Sequence, residues 1–138
     1  MRVIVDTNVL LSGIFFGGVP GRILDAWVAG RFELVLSPGI LAEYSRAGGE
    51  LAARYPERGD ALSPVLTLVA MNATLVDAPP LGRSVSRDSD DDTFLAAAHH
   101  AGVAVIVSGD RDLRDISGWE GILVLSPRQF VDQHLLAG

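Results

Sequence analysis

The sequence predicts an α/β fold on a parallel sheet, and three observations carry that reading. Short apolar runs alternate with segments of helical periodicity along the whole chain. The run 103–107 shows no polar alternation, as expected of a strand buried on both faces. Ser-Pro follows an apolar run twice, at Ser37-Pro38 and Ser126-Pro127, where Ser caps a helix and Pro fills its first position.

The elements follow in order. Residues 3–5 form the first strand. A helix covers 20–29: Pro20 suits the first turn, Ile23, Leu24 and Trp27 share a face, and Gly30 stops it. Residues 32–36 are the second strand. The helix opened by Ser37-Pro38 turns Ile40, Leu41 and Tyr44 inward with Glu43 beside them, and Gly48-Gly49 is expected to break it. A short helix at 51–55 and a longer one at 60–71 follow, the latter with Leu62, Val65, Leu66 and Val69 at helical spacing. Residues 74–76 are a short strand, and 77–87, with Pro79-Pro80, a loop. A small-residue helix over 93–101 ends at Gly102. Strands at 103–107 and 122–125 and a closing helix at 128–136 complete one domain, 1–138, without repeat or linker.

Composition narrows the function. At 49% hydrophobic and 20% charged residues the 138-residue chain is globular. It has no cysteine, which excludes disulfides, thiolate metal sites and thiol catalysis and suits a cytoplasmic protein. Asp6 interrupts the only apolar start that resembles a signal peptide, and no apolar run approaches the ~20 residues of a membrane span. All eleven basic residues are Arg, so no catalytic lysine exists. The net charge of −6 argues against broad nonspecific nucleic-acid binding, yet the acids are concentrated. Seven of the seventeen lie at 88–92 and 110–115.

That concentration points to a metal site. Asp6 and Asp110 each lie just past a strand end, where open parallel sheets bind ligands. Glu43 sits on the helix after strand two, and Asp90, Asp91 and Asp92 stand at the start of the helix before the strand leading to Asp110. Carboxylates gathered at one point repel by about 4 kcal/mol per pair at contact in a protein-like dielectric, so a fold that collects them implies a cation. All-oxygen donors suit Mg²⁺ or Mn²⁺. Each group also has a plainer role. Asp6-Thr7-Asn8 suits a capped turn, the Asp90–Asp92 run a helix start favoured by the dipole, Asp110-Arg111-Asp112 an exposed turn, and Glu43 a solvated helix face. His99 and His100 sit away from the acids, in surface or capping positions.

Val-Asp-Thr-Asn-Val-Leu at 5–10, Ser-Pro-Gly-Ile-Leu-Ala-Glu at 37–43, Asp-Asp-Asp-Thr-Phe-Leu-Ala-Ala-Ala at 90–98 and Val-Ser-Gly-Asp-Arg-Asp-Leu at 107–113 together resemble the PIN-domain ribonucleases, nearest their VapC-like toxin branch. The resemblance implies a three-layer α/β/α sandwich and a Mg²⁺- or Mn²⁺-dependent endoribonuclease. Its acidic quartet maps onto Asp6, Glu43, Asp92 and Asp110, with Thr7, Asn8, Asp90, Asp91 and Asp112 as auxiliary candidates. It also implies a small antitoxin partner and a homodimer, for which Leu62, Val65 and Val69 offer apolar surface. Two other functions are weighed: a non-catalytic PIN-like scaffold and a housekeeping RNA-processing nuclease. Aspartate phosphotransfer fails, because Asn8 stands where a second Asp is needed and no lysine is present.

Overall fold

A computed structural model describes residues 1–136, with Ser89 described by its backbone alone. Five parallel strands form one sheet: β1 Arg2–Val5, β2 Glu33–Leu36, β3 Thr74–Leu75, β4 Val105–Val107 and β5 Leu123–Leu125. Their order is β3-β2-β1-β4-β5. The helices are α1 Thr7–Phe16, α2 Gly18–Val28, α3 Pro38–Arg54, α4 Leu62–Asn72, α5 Asp92–Ala101, α6 Arg111–Asp115 and α7 Pro127–Phe130. A π-helical turn, Val131–Leu135, extends α7 and accounts for the closing helix expected at 128–136.

Successive strand residues point to opposite faces, so consecutive buried residues mean that both faces are covered. Val3, Ile4 and Val5 in β1 and Val105, Ile106 and Val107 in β4 are all buried, which is the three-layer sandwich the sequence implied. The chain builds outward from β1 to β2 and β3, then crosses to β4 on the other side of β1. The loops leaving β1 and β4 therefore diverge and leave a crevice beyond their carboxyl ends. The register pairs Val5 with Val107, so the next residues on both strands emerge side by side at that crevice.

Two helical expectations needed correction. Residues 7–16 form a full helix, α1, which hydrophobic periodicity did not reveal. Thr7, Val9, Leu10, Leu11 and Phe15 are all buried, so the helix is wrapped on several sides and lacks a clean polar face. The other concerns Gly48-Gly49, which do not end α3; it runs through them to Arg54 and absorbs the short helix expected at 51–55. A Cβ at Gly48 would lie 2.7 Å from Leu62 Cδ1 and 3.3 Å from Leu11 Cδ2. Gly48 is present because helices crowd it, not because the chain turns there.

A 3-10 turn, Pro56–Ala61, precedes α4. Within α4, Val69 is buried and Leu62 and Val65 are half-buried, so these three serve the core more than any outer surface. Among the described residues no single helix is long and apolar enough to cross a membrane.

Candidate metal centre

Asp6 is the residue after β1 and the N-cap of α1, with a 6% exposed side chain. Its backbone N–H donates to Val107 O at 2.9 Å, continuing the β1–β4 ladder by one step. Across the ladder stands Ser108, fully buried, whose hydroxyl donates to Asp6 Oδ2 at 2.6 Å. The same hydroxyl oxygen accepts from the N–H of Asp110 at 3.0 Å. One serine thus fixes two acids on adjacent strand ends. From α3, the Tyr44 hydroxyl donates to Val5 O at 2.5 Å and pins the end of β1 just before Asp6. Burial, and secondarily the nearby Asp6 carboxylate, push the Tyr44 hydroxyl well above the usual phenol range, so it stays a donor.

Asp88, Asp91 and Asp110 each offer a carboxylate oxygen, and these three oxygens lie within 4.8 Å of one another. Asp91 is 5% exposed. Its pKa is pushed up to about 7, first by burial, then by the charges of Asp110 and Asp88, a hydrogen bond with Asp110 that favours the protonated form, and the charge of Asp6. Asp6 is likewise raised, first by burial, with the charges of Asp110 and Glu43 adding to it. The hydrogen bonds from Ser108 and the Thr7 backbone act in the opposite direction. Five acids, Asp6, Glu43, Asp88, Asp91 and Asp110, are therefore linked by charge at the mouth of the crevice.

The expected ligand Asp92 does not join this cluster. Its two oxygens accept from the N–H groups of Ser86, at 2.8 Å, and Val85, at 3.1 Å. It ties the loop before α5 to the first turn of that helix, one residue past the acid that faces the crevice. Asp91 occupies the place expected for Asp92. Asp88, which the site expectation omitted, joins it because the chain folds back over a 3-10 turn, Ser89–Asp91, with Asp91 N–H donating to Asp88 O at 3.1 Å. Asp90 is exposed and donates its N–H to Asp88 Oδ1 at 3.0 Å. Asp110 also caps α6, accepting from Asp112 N–H at 2.9 Å. Asp112 turns away and pairs with Arg87 at 3.6 Å, and Arg87 also binds Asp115. Glu43 is near enough to raise Asp6 but is held by Arg46 at 3.2 Å. Ser108 was missed as an organiser of the site, and Asp91 was expected only as an auxiliary residue. The available signal was the Ser two residues before Asp110 on a strand that pairs with β1.

A divalent ion fits this donor set. All donors are carboxylate oxygens, as hard ions require, and oxygens on opposite sides of an ion bound at 2.0–2.6 Å lie about 4–5 Å apart. The hydroxyl of Thr7, buried beside Asp6, has no hydrogen-bond partner among the described residues. Leaving it so costs about 1–3 kcal/mol, and an oxygen of a hydrated ion or of a substrate is a suitable partner.

The sequence matches the PIN domain family over residues 2–112. The chain belongs to the PIN domain family. PIN domains are generally metal-dependent nucleases, and the acidic cluster described above could hold a divalent ion. No curated protein matches the chain. Among solved structures the fold of this PIN domain is similar to that of PAE2754 from Pyrobaculum aerophilum, with a TM-score of 0.61 and 16% identity, over 96% of this chain and 87% of that one.

Proposed function

We propose that this PIN domain is a Mg²⁺- or Mn²⁺-dependent endoribonuclease whose ion is held by Asp91 and Asp110, with Asp6 and Asp88 completing the charge around it. The observation that carries the reading is the trio of carboxylate oxygens within 4.8 Å beside buried Asp6, at the point where the chain reverses its building direction across the sheet. The bound ion would supply activation of water and stabilisation of charge on the phosphate and leaving oxygen. Ser108 keeps Asp6 oriented and favours its charged form. Asp92 holds the 85–86 backbone so that Asp88 and Asp91 face Asp110. Glu43 adds negative charge from α3, and the Thr7 hydroxyl and Asn8 at the start of α1 offer donors to a phosphate oxygen. Water adds to phosphorus as the bond to the leaving ribose oxygen breaks. The site offers no Cys or Lys to form a covalent intermediate.

The VapC-like sequence motifs extend the proposal to a toxin paired with a small antitoxin. An inhibitor side chain such as Arg, inserted among the same carboxylates, would make charge-assisted hydrogen bonds there. A homodimer is also proposed. It would use the outer surface of α4 and β3, where Leu68, Met71 and Leu75 are exposed and 62–76 carries no charged residue. The test is cleavage of mixed RNA with Mg²⁺, with Mn²⁺ and with EDTA, on the wild type and Asp6→Asn. Metal-dependent cleavage lost in Asp6→Asn is expected; metal-independent cleavage, or none, overturns the reading. In cells, slowed growth that Asp6→Asn relieves and the adjacent small reading frame suppresses supports the toxin role, whereas harmless expression of an active nuclease favours RNA processing.

A further inference from the structure

We infer that a single RNA strand leaving the acidic centre crosses the outer face of α1 and stacks a base on Phe16, an inference that rests on the ribonuclease reading for the chemistry of the strand. Two clefts meet on this face. One, of about 350 Å³, is bounded by Asp110 of the acidic centre and by Asn8 and Ser12 of α1. The other, of about 310 Å³, shares Asn8 and Ser12 and reaches Phe16 and Arg54. Asn8 and Ser12 are one turn apart and form a polar floor common to both.

Phe16 ends the path. It closes α1 with 49% of its surface exposed, an unusual place for a phenyl ring. It is packed against neighbours nonetheless. The Tyr55 ring meets it at right angles at 5.3 Å between centroids, and the Arg58 guanidinium lies over the ring, 5.2 Å from its centroid, so a base would stack on the opposite face. Arg58 is itself anchored by donating to Phe15 O at 3.3 Å. A packed, half-exposed ring with one guanidinium over it and a second, that of Arg54, in the same cleft is a combination that suits single-stranded nucleic acid, because every base has a face to stack and every linkage a charge to neutralise. Glu50, which lines the second cleft, is paired with Arg46 at 2.9 Å, so its charge is offset. From Asn8 to Phe16 the helix rises about 12 Å at 1.5 Å per residue, the reach of a few nucleotides.

The test uses the full chain and a labelled, mixed-sequence RNA decamer, followed by fluorescence anisotropy in EDTA. Cleavage of the decamer and of a dinucleotide is measured separately in Mn²⁺. Phe16→Ala should weaken decamer binding and raise its KM by about tenfold, the scale of one lost stacking contact, while kcat and dinucleotide cleavage stay unchanged. Phe16→Tyr should restore binding. Arg54→Ala should weaken binding and reduce the salt slope by about one. Thermal unfolding of each variant separates loss of contact from loss of fold. Decamer affinity unchanged in both Phe16→Ala and Arg54→Ala overturns the path and leaves the ring to a protein partner. Binding that depends on Phe16 without any cleavage keeps the path and removes the nuclease reading. Cleavage with unaltered KM in both variants does the reverse.

Discussion

Asp91→Asn should stabilise the metal-free protein while abolishing its response to metal. The folded protein raises this carboxyl from its ordinary 3.8 to about 7. Each tenfold change in proton affinity is worth about 1.4 kcal/mol, so ionising Asp91 in the fold costs at most about 4 kcal/mol. The crevice mouth is open to water and Asp88 beside it is exposed, so screening reduces the realised cost to about 1–2 kcal/mol. The sign follows from the direction of the shift. A carboxyl raised in the folded state binds its proton more tightly than in the unfolded chain, so it favours folding while protonated. That advantage is lost as pH climbs from about 4 through 7. Metal-free wild type should therefore lose stability over this window, and Asp91→Asn should be flatter and melt several degrees higher at pH 8. Saturating Mn²⁺ should invert the order, since an ion bound only to the folded state at 100 times its Kd adds about 2.7 kcal/mol. Differential scanning fluorimetry at pH 5 and pH 8, with and without Mn²⁺, reads all four arms. A variant that melts below wild type in EDTA at pH 8, or gains as much from Mn²⁺, would falsify the placement of Asp91 in the centre.

Asp92→Asn should behave oppositely, losing about 1 kcal/mol of metal-free stability as its hold on the Val85 and Ser86 N–H groups weakens, measurable by urea unfolding. Ser108→Ala removes the donor to Asp6 and the acceptor for Asp110, so calorimetry should show Mn²⁺ affinity falling by roughly tenfold, the worth of one charge-assisted hydrogen bond. Asp110→Asn should cost far more cleavage than Asp112→Asn, because Asp110 lies in the cluster and Asp112 is turned toward Arg87. Equal loss of rate in the two would contradict that division. At the glycine pair in α3, Gly49→Ala should add about 0.5–1 kcal/mol, since its Cβ meets nothing within 4 Å. Gly48→Ala should forfeit that gain against Leu62 and Leu11, and equal chemical-denaturation midpoints for the two would refute the crowding argument.

Fold class was legible in the sequence because strand and helix periodicities are local properties of the chain. The runs 3–5, 103–107 and 122–125 appear as β1, β4 and β5, the last two trimmed at their starts, and Ser37 and Ser126 cap α3 and α7 with accepted backbone N–H groups. The acidic positions were also legible, since carboxylates concentrated at strand ends and a helix start repel one another and point to a shared cation. Which of them meet was not. Asp91 and Asp92 are chemically identical neighbours, and a rotation of about 100° between successive helix positions decides that one faces the crevice and the other a loop backbone. That choice depends on where residues 85–88 lie, which no local pattern encodes. α1 escaped notice because burial on several sides erased its amphipathic signal, and Gly48 was misread because crowding between α3, Leu62 and Leu11 exists only after packing. Sequence by itself determined the strands, most of the helices and the concentration of carboxylates that points to a metal. The tertiary structure alone decided which carboxylates converge, because convergence depends on side-chain direction across strands more than a hundred residues apart in the chain.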